Sequence, residues 1–305
     1  MVPNFSILIS TKNRLAELQI TLSKIENLLK NENVECIICD DGSSDNTYTF
    51  IKEEYPEIKL LRNKKSIGLI SSRNRLLKST TAKYAISLDD DSQFLSDQVL
   101  ENIEKYFSKH KKCGLIACRI FWGKQEPPLT VTLDRPTRVQ GFVGCGHVWN
   151  MKAWRDIPDY PEWFKFYGEE EFASYQLFKK DWQVHYVPSI LVQHRVEVKS
   201  RKSQKDYGIR LRRSLRAGWY NYILFLPWNE VPKRFLYTLY IQIKLKVFRG
   251  DIKAAKAVIQ AMWDLLVHLP LLLIRSNRLS GDEFIQFQGI AKTKIYWKQD
   301  DKANT

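Results

Sequence analysis

Three consecutive carboxylates, Asp89-Asp90-Asp91, follow the apolar run Tyr84–Leu88. Like charges this close repel, and each raises the others' pKa unless a cation neutralises them. Hard oxygen ligands suit Mg²⁺ or Mn²⁺, which commonly hold a substrate diphosphate through one or two carboxylates. Taken alone, the triplet reads equally as a solvated acidic turn capping a helix that starts near Asp97. Two further clusters add weight to the first reading: Asp40/Asp41, and Glu169-Glu170-Glu171 behind the aromatic stretch Trp163-Phe164-Lys165-Phe166-Tyr167-Gly168. The glutamates open a helical pattern, where acids complement the helix dipole. An apolar approach to a carboxylate would also lift its pKa toward that of a general base. Cys36-x-x-Cys39 has the spacing of a redox or zinc half-site. It lies in an apolar strand with no matching second pair, so two buried thiols are expected there.

The elements that must position these groups alternate. Phe5–Ser10, Val34–Cys39, Ile58–Leu61 and Tyr84–Leu88 read as strands, and Leu15–Leu29 and Leu69–Lys78 as amphipathic helices. Such alternation predicts an α/β fold, a mostly parallel sheet with helices on both faces. Ligands of such sheets bind beyond the carboxyl ends of the strands. The polar clusters at 10–14, 40–45 and 89–92 all fall at such ends. From Cys113 to Val192 the rhythm is irregular, and past His194 it becomes basic and helical. The predicted division is therefore 1–194 (donor half about 1–120, acceptor half about 121–194) and a basic, mainly helical region over 195–305.

Ser-Thr-Lys-Asn-Arg (10–14), Asp-Asp-Gly-Ser-Ser-Asp (40–45), Ser-Arg-Asn-Arg (72–75), Leu-Asp-Asp-Asp-Ser (88–92), Gly-Glu-Glu-Glu (168–171) and Val-Pro…Gln-His (187–194) stand in that order. Together they resemble the motifs of the family 2 inverting glycosyltransferases, of the bacterial surface-polysaccharide type, with the Rossmann-like GT-A fold. The resemblance covers about residues 4–195. It implies that Ser10, Thr11 and Asp41 line a nucleotide-base pocket, with Asp41 accepting from a uracil-type N–H. It implies that Arg73 neutralises or orients the donor and that Asp90 holds ribose hydroxyls. Asp91, supported by Asp89, would bind Mn²⁺ or Mg²⁺, with His194 approaching the metal or diphosphate. Glu170 aligns with the catalytic base, Glu169 is its neighbour, and Glu171 is the second choice. The implied donor is a nucleotide-diphosphate sugar, with a UDP- or dTDP-sugar favoured. The implied acceptor is a glycan or a lipid-linked, membrane-proximal hydroxyl.

The chain departs from the family pattern at three places: Ser10 stands where proline is frequent, the base is Glu rather than Asp, and Asp181 replaces a glycine. Gly141-x-x-Gly144-x-Gly146 does not follow the first strand, so it is not a dinucleotide fingerprint. It reads equally as a β-turn and, by the resemblance, as a border of the acceptor site. Trp163 and Tyr167, beside the base, are candidate stacking faces for a sugar.

Charge divides unevenly. Of the formal net +14, residues 1–194 carry 26 Lys/Arg against 25 Asp/Glu, whereas 195–305 carry 22 against 9. A negatively charged partner is expected at the C-terminal third. Arg195–Arg216 holds nine basic residues, followed by an aromatic stretch from Trp219 to Trp228. That juxtaposition predicts contact of 195–228 with an anionic membrane surface, against a solvated helical face. No nucleic-acid module accompanies it, so nucleic acid is not an expected partner. The apolar stretch Ala261–Ile274 contains Asp264, His268 and Pro270 and reads as too short and interrupted to span a bilayer. With no basic, cleavable leader at the N-terminus, the expected location is cytoplasmic, peripheral on the inner face of the cell membrane. Five dispersed cysteines read as reduced thiols. The alternative to a transferase is a nucleotide-sugar-binding protein on the same fold. A nucleotidyltransferase would need a Gly-rich basic loop after the first strand, where none occurs.

Overall fold

The structure is a computed structural model that describes residues 3–196 and 206–294. Its first half follows from period-two alternation. In β1 (Phe5–Thr11), Ile7 and Ile9 enter one core while Leu8 enters the other, so both faces of the sheet are covered. β1 pairs in parallel with β2 (Val34–Asp40) and with β4 (Tyr84–Asp89), and β2 with β3 (Lys59–Arg62). The crossovers are α1 (Leu15–Leu29), α2 (Thr47–Glu54) and α3 (Leu69–Lys78). In α1 the buried Leu18, Thr21, Leu22 and Ile25 recur at i, i+3, i+4 and i+7 and face the sheet.

Past β4 the sheet becomes mixed. β8 (Gly146–Asn150) runs antiparallel to both β4 and β6 (Cys113–Trp122), whereas β9 (Gln183–His194) is parallel to β6. β5 (Ser92–Phe94) and β7 (Thr137–Val139) pair antiparallel with β9. The strand order is β3-β2-β1-β4-β8-β6-β9-β5, with β7 on β9. The parallel expectation holds for the four strands that alternate with helices. It lapses where a strand returns without a helical crossover. α4 (Val99–Lys109), α5 (Met151–Arg155) and α6 (Glu169–Lys179) complete this part. The acidic triplet caps no helix, because β5 separates it from α4.

Among the described residues four α-helices follow: α7 (Tyr207–Phe225), α8 (Val231–Leu245), α9 (Ile252–Ile274) and α10 (Gly281–Gly289). They extend the second core of the sheet. Ala217, Tyr220, Leu224, Phe225, Leu272 and Phe287 share one cluster with Trp149, Phe164 and Tyr175. Two expectations are corrected here. First, Trp219, Tyr220, Ile223, Leu224, Phe225 and Leu226 are buried, and of that stretch Trp228 stands exposed. The apolar side of α7 is used up against α6 and α9, so it is not free for lipid. Residues 197–205 of the predicted membrane segment lie outside the described residues. Second, α9 runs unbroken through Pro270 and, at 23 residues, is long and apolar enough to cross a membrane by length and composition. Pro270 lies on the exposed side, where a missing intrahelical bond is replaced by solvent at least cost.

Candidate active site

The carboxyl ends of β1, β2 and β4 open into one cleft of about 530 Å³. Its lining includes Ser10, Thr11, Asp41, Asp89, Asp90, Asp91 and His194. β1 and β4 are in register Ser10↔Asp89, which sets the polar end of one beside the acids of the other. His194 closes β9, opposite Ser92 of β5, so one antiparallel pair carries it to the acidic turn.

Asp89, Asp91 and His194 converge, with one ligand atom from each lying within 4.8 Å of the others. His194 Nε2 is 3.1 Å from Asp91 Oδ1 and 4.0 Å from Asp89 Oδ2. Two carboxylates and an imidazole form a donor set that fits a hard divalent cation such as Mn²⁺ or Mg²⁺. Burial alone would raise the pKa of Asp91, but the hydrogen bond and charge of His194, with Arg14, hold it below the usual range. Arg14 reaches over the turn, its Nε 2.8 Å from Asp90 Oδ1 and its Nη2 2.5 Å from Asp91 Oδ2. Asp90 is buried, and Thr11 Oγ1 donates to its Oδ2 at 2.8 Å. Burial pushes its pKa up to about 7 against the pull of Arg14.

Asp41 lines the cleft, yet its four acceptor directions are filled by Asn63 Nδ2, Ser66 Oγ and the amides of Ile67 and Gly68, at 2.6–3.0 Å. Burial raises its pKa, and these four donors more than offset that. Asp41 therefore shapes the 66–68 loop ahead of α3, and the structure leaves it no unfilled acceptor direction for the expected base N–H.

Arg73 lies under the cleft and does not line it. Its guanidinium, on the buried face of α3, pairs with Glu169 Oε1 at 2.9 Å and Asp89 Oδ1 at 2.8 Å. Nη2 also donates to Gly144 O at 2.9 Å. Burial lowers its pKa, and Asp89 and Glu169 outweigh that and raise it. Arg73 thus ties the start of α6 to the acidic turn.

The three glutamates have three environments. Glu169 is buried on Arg73, and burial followed by the charge of Glu170 holds its pKa well above the carboxylate range. Glu171 is exposed and accepts from Asn221 Nδ2 of α7 at 3.0 Å. Glu170 is half-buried and makes no ion pair among the described residues. Its Oε1 stands over Gly144, where an added Cβ would come within 2.4 Å of it. The glycine segment therefore borders Glu170. Lys165, Tyr167 and Gly168 all have left-handed φ (70°, 71° and 84°), an uncommon run for non-glycine residues. That run turns the chain into α6.

One aromatic expectation needs amending. Trp163 packs on Phe164, Tyr220 and His268 and stays out of the cleft; Phe166 lines the cleft instead. Asp181 does adopt the left-handed φ of the glycine it replaces (57°), its carboxylate held by Lys112. All five cysteines are buried and free. The sequence reading missed Arg14, although it closes the first motif, and also Ser66, Lys124 and Arg210 in the lining. The last three come from stretches whose periodicity does not mark them.

A mixed α/β sheet flanked by helices, with an acidic turn at the end of its fourth strand, defines a glycosyltransferase of the GT-A type. The chain belongs to the family described as Glycosyl transferase family 2, which matches residues 6–160. Among curated relatives, it is 30% identical over 129 residues to the minor teichoic acid biosynthesis protein GgaB of Bacillus subtilis (strain 168). That match covers 40% of this chain and 14% of the relative. It is 34% identical over 119 residues to UDP-Glc:alpha-D-GlcNAc-diphosphoundecaprenol beta-1,3-glucosyltransferase WfgD of Escherichia coli, covering 37% of this chain and 47% of that one. The matches thus span less than half the length of these relatives. Among solved structures, GalNAc-T7 with UDP, GalNAc and Mn²⁺ superposes with a TM-score of 0.60 at 14% identity, over 88% of this chain and 58% of that one. The mannosyltransferase PcManGT from Pyrobaculum calidifontis, in complex with GDP-Man and Mn²⁺, gives 0.55 at 12% identity, over 94% and 79%. These two likenesses concern the fold.

Proposed function

We propose that the protein is a metal-dependent, inverting glycosyltransferase that moves a sugar from a nucleotide-diphosphate donor to an acceptor hydroxyl in surface-polysaccharide or glycolipid assembly. The observation that carries this reading is the placement of Asp89, Asp91 and His194 in the cleft, with Arg73 linking Asp89 to the helix that bears Glu170. Asp89, Asp91 and His194 would hold Mn²⁺ or Mg²⁺, which when bound supplies positive charge to the leaving diphosphate.

The protein's own groups do the rest. Ser10, Thr11 and the loop shaped by Asp41 take the base and Asp90 the ribose, while Lys12, Lys124 and Arg210 stand around the cleft as cations for the donor phosphates. A UDP- or dTDP-sugar is the favoured donor. Glu170, freed from ion pairing because Arg73 is engaged by Glu169, accepts the proton of the acceptor hydroxyl. That oxygen attacks the anomeric carbon in line, the bond to the diphosphate oxygen breaks with its electron pair, and the configuration inverts. WfgD is named for a diphosphoundecaprenol acceptor and GgaB for teichoic acid synthesis. We carry that class, a lipid-linked or membrane-proximal glycan, to this chain, and with it a cytoplasmic, peripheral location. The proposed division is a transferase part over 1–194 and a helical part over 195–305 that backs α6.

The test is turnover of UDP- and dTDP-sugars with Mn²⁺ on glycan and polyprenyl-diphosphate acceptors, with anomeric configuration read by NMR. Inverted product, lost in Asp91→Ala and Glu170→Gln, is expected. Undiminished turnover in both variants overturns the mechanism, and donor binding without transfer favours a binding protein.

A further inference from the structure

We infer that the outer face of α8 and α9 is a docking surface for an anionic lipid bilayer, with both helices lying in the plane of the interface. α8 and α9 pack their inner stripes on the same partner. Phe235 and Leu239 of α8, with Val258, Ala261 and Leu265 of α9, surround Leu215 and Trp219 of α7. α8 and α9 also touch each other, so their opposite stripes, turned from α7, lie on neighbouring helices. On α9 that stripe runs Ile252, Lys256, Ile259, Trp263, Leu266, Pro270 and Ile274, in steps of three and four residues, and every member is exposed. On α8 it runs Lys233, Tyr237, Tyr240 and Lys244, also all exposed. The turn between the helices adds Phe248, 81% exposed; Trp263 is 66% and Ile274 82% exposed. Exposed apolar side chains gathered along one helix face in this number mark an interaction site rather than ordinary solvent contact.

Charge identifies the occupant. Cations bracket the apolar stripes: Lys233 and Lys244 on α8, Lys256 near the start of α9 and Arg275 at its end. Neither stripe holds an acid, and residues 231–275 contain eight Lys/Arg against Asp251 and Asp264. Asp251 caps α9 through the amide of Ala254, and Asp264 is turned inward onto Arg212 and Arg216. An aliphatic centre, Trp and Tyr in the boundary and a basic margin match the layers of an anionic membrane surface. A second copy of this face would bring lysines against lysines, and a polyanion alone would leave the aliphatic centre without a partner.

Although α9 is long enough to cross a bilayer, its inner stripe packs on α7 and holds Asp264 against Arg212 and Arg216. Crossing would strip that cluster of its partners in hydrocarbon. The in-plane arrangement keeps it intact. This inference concerns binding only and stands apart from the catalytic reading.

The test is cosedimentation of the full chain with vesicles of phosphatidylcholine alone or with about a third phosphatidylglycerol, at low and high salt. Binding to the anionic vesicles is expected, at least about tenfold stronger than to the neutral ones and weakened by salt. Trp263→Glu with Leu266→Glu should lower it at least about tenfold, with an unchanged melting temperature. Lys244→Glu with Lys256→Glu, which leaves the apolar side chains of both stripes intact, should weaken binding to the anionic vesicles and reduce its salt dependence. The chain staying in the supernatant overturns the proposal, as does unaltered binding in folded Trp263→Glu/Leu266→Glu. Resistance to alkaline carbonate would indicate a spanning helix. A concentration-dependent dimer abolished by the same variant, without vesicle binding, would indicate a second copy. Either result overturns the in-plane lipid surface.

Discussion

At the scale of single residues, Arg73 decides which glutamate is free. Its two carboxylate partners, Glu169 and Asp89, leave Glu170 as the half-buried acid beside Gly144. Glu170→Gln keeps size and hydrogen bonding but cannot take a proton, so turnover should fall by about 10²–10⁴ with donor affinity unchanged in a titration. Equal turnover would move the base elsewhere. Gly144→Ala places a methyl where Glu170 Oε1 and Arg73 Nη1 now stand, at 2.4 and 2.8 Å. Both obstacles are ends of flexible side chains, so the fold should survive and the carboxylate should move. Steady-state kinetics should show kcat falling more than KM rises; unchanged kcat would mean that Glu170 does not need its present position. The acids themselves were legible in the sequence because charge repulsion makes a triplet conspicuous. The partners of Arg73 were not, because they depend on α3 and α6 meeting across 96 positions of sequence.

At the scale of elements, the strands over 5–11, 34–40 and 84–89 and the helices over 15–29 and 69–78 could be read within a residue or so, since apolar periodicity and polar turns agree there. α2 and β5 were missed. α2 has few apolar positions, and β5 is three residues long. Aromatic content misplaced α7: Trp and Tyr beside a basic run suit an interface and a core alike, and only packing distinguishes them. The junction of α7 and α9 is testable through Asp264, which Arg212 contacts at 2.6 Å and Arg216 at 3.4 Å, with His268 one turn away. Burial raises the pKa of Asp264, but the hydrogen bond from Arg212 and the charges of Arg212 and Arg216 more than offset it and hold it low. A depressed folded-state pKa contributes stability that is fully present above the unfolded value, near 4, and is lost as pH falls through the folded one. Asp264→Asn should cost about 3–5 kcal/mol at neutral pH, because it leaves the buried Arg216 without its carboxylate. The gap between wild type and variant should close as pH falls below about 4 and through the lowered folded-state pKa. Denaturant midpoints across that range check both statements, and a gap independent of pH would assign the pair no electrostatic role.

At the scale of the whole molecule, Arg14 stands between the proposed metal site and the proposed donor site. Arg14 covers Asp90 and Asp91, supplying positive charge to the acidic turn. A cation bound at Asp89, Asp91 and His194 competes with that guanidinium, whereas a nucleotide diphosphate arriving with the cation gives Arg14 an anion to turn to. Donor and metal should therefore bind cooperatively. A ligand that binds only the folded state stabilises it by about 2.7 kcal/mol at a hundredfold excess over its Kd. For a chain of 305 residues that is a rise in melting temperature of about 4 °C. The expectation is that UDP- or dTDP-sugar with Mn²⁺ gives a rise of that order, while either alone gives less than half of it. Asp91→Ala should abolish the joint effect. Arg14→Ala should let Mn²⁺ alone stabilise the fold while weakening the joint response, because the guanidinium no longer competes with the metal and no longer meets the diphosphate. Strictly additive shifts in the wild type would show that Arg14 does not exchange its acidic partners for donor phosphates. The acidic turn and the nucleotide end of the cleft would then be independent sites, and Arg14 a fixed part of the wall between them.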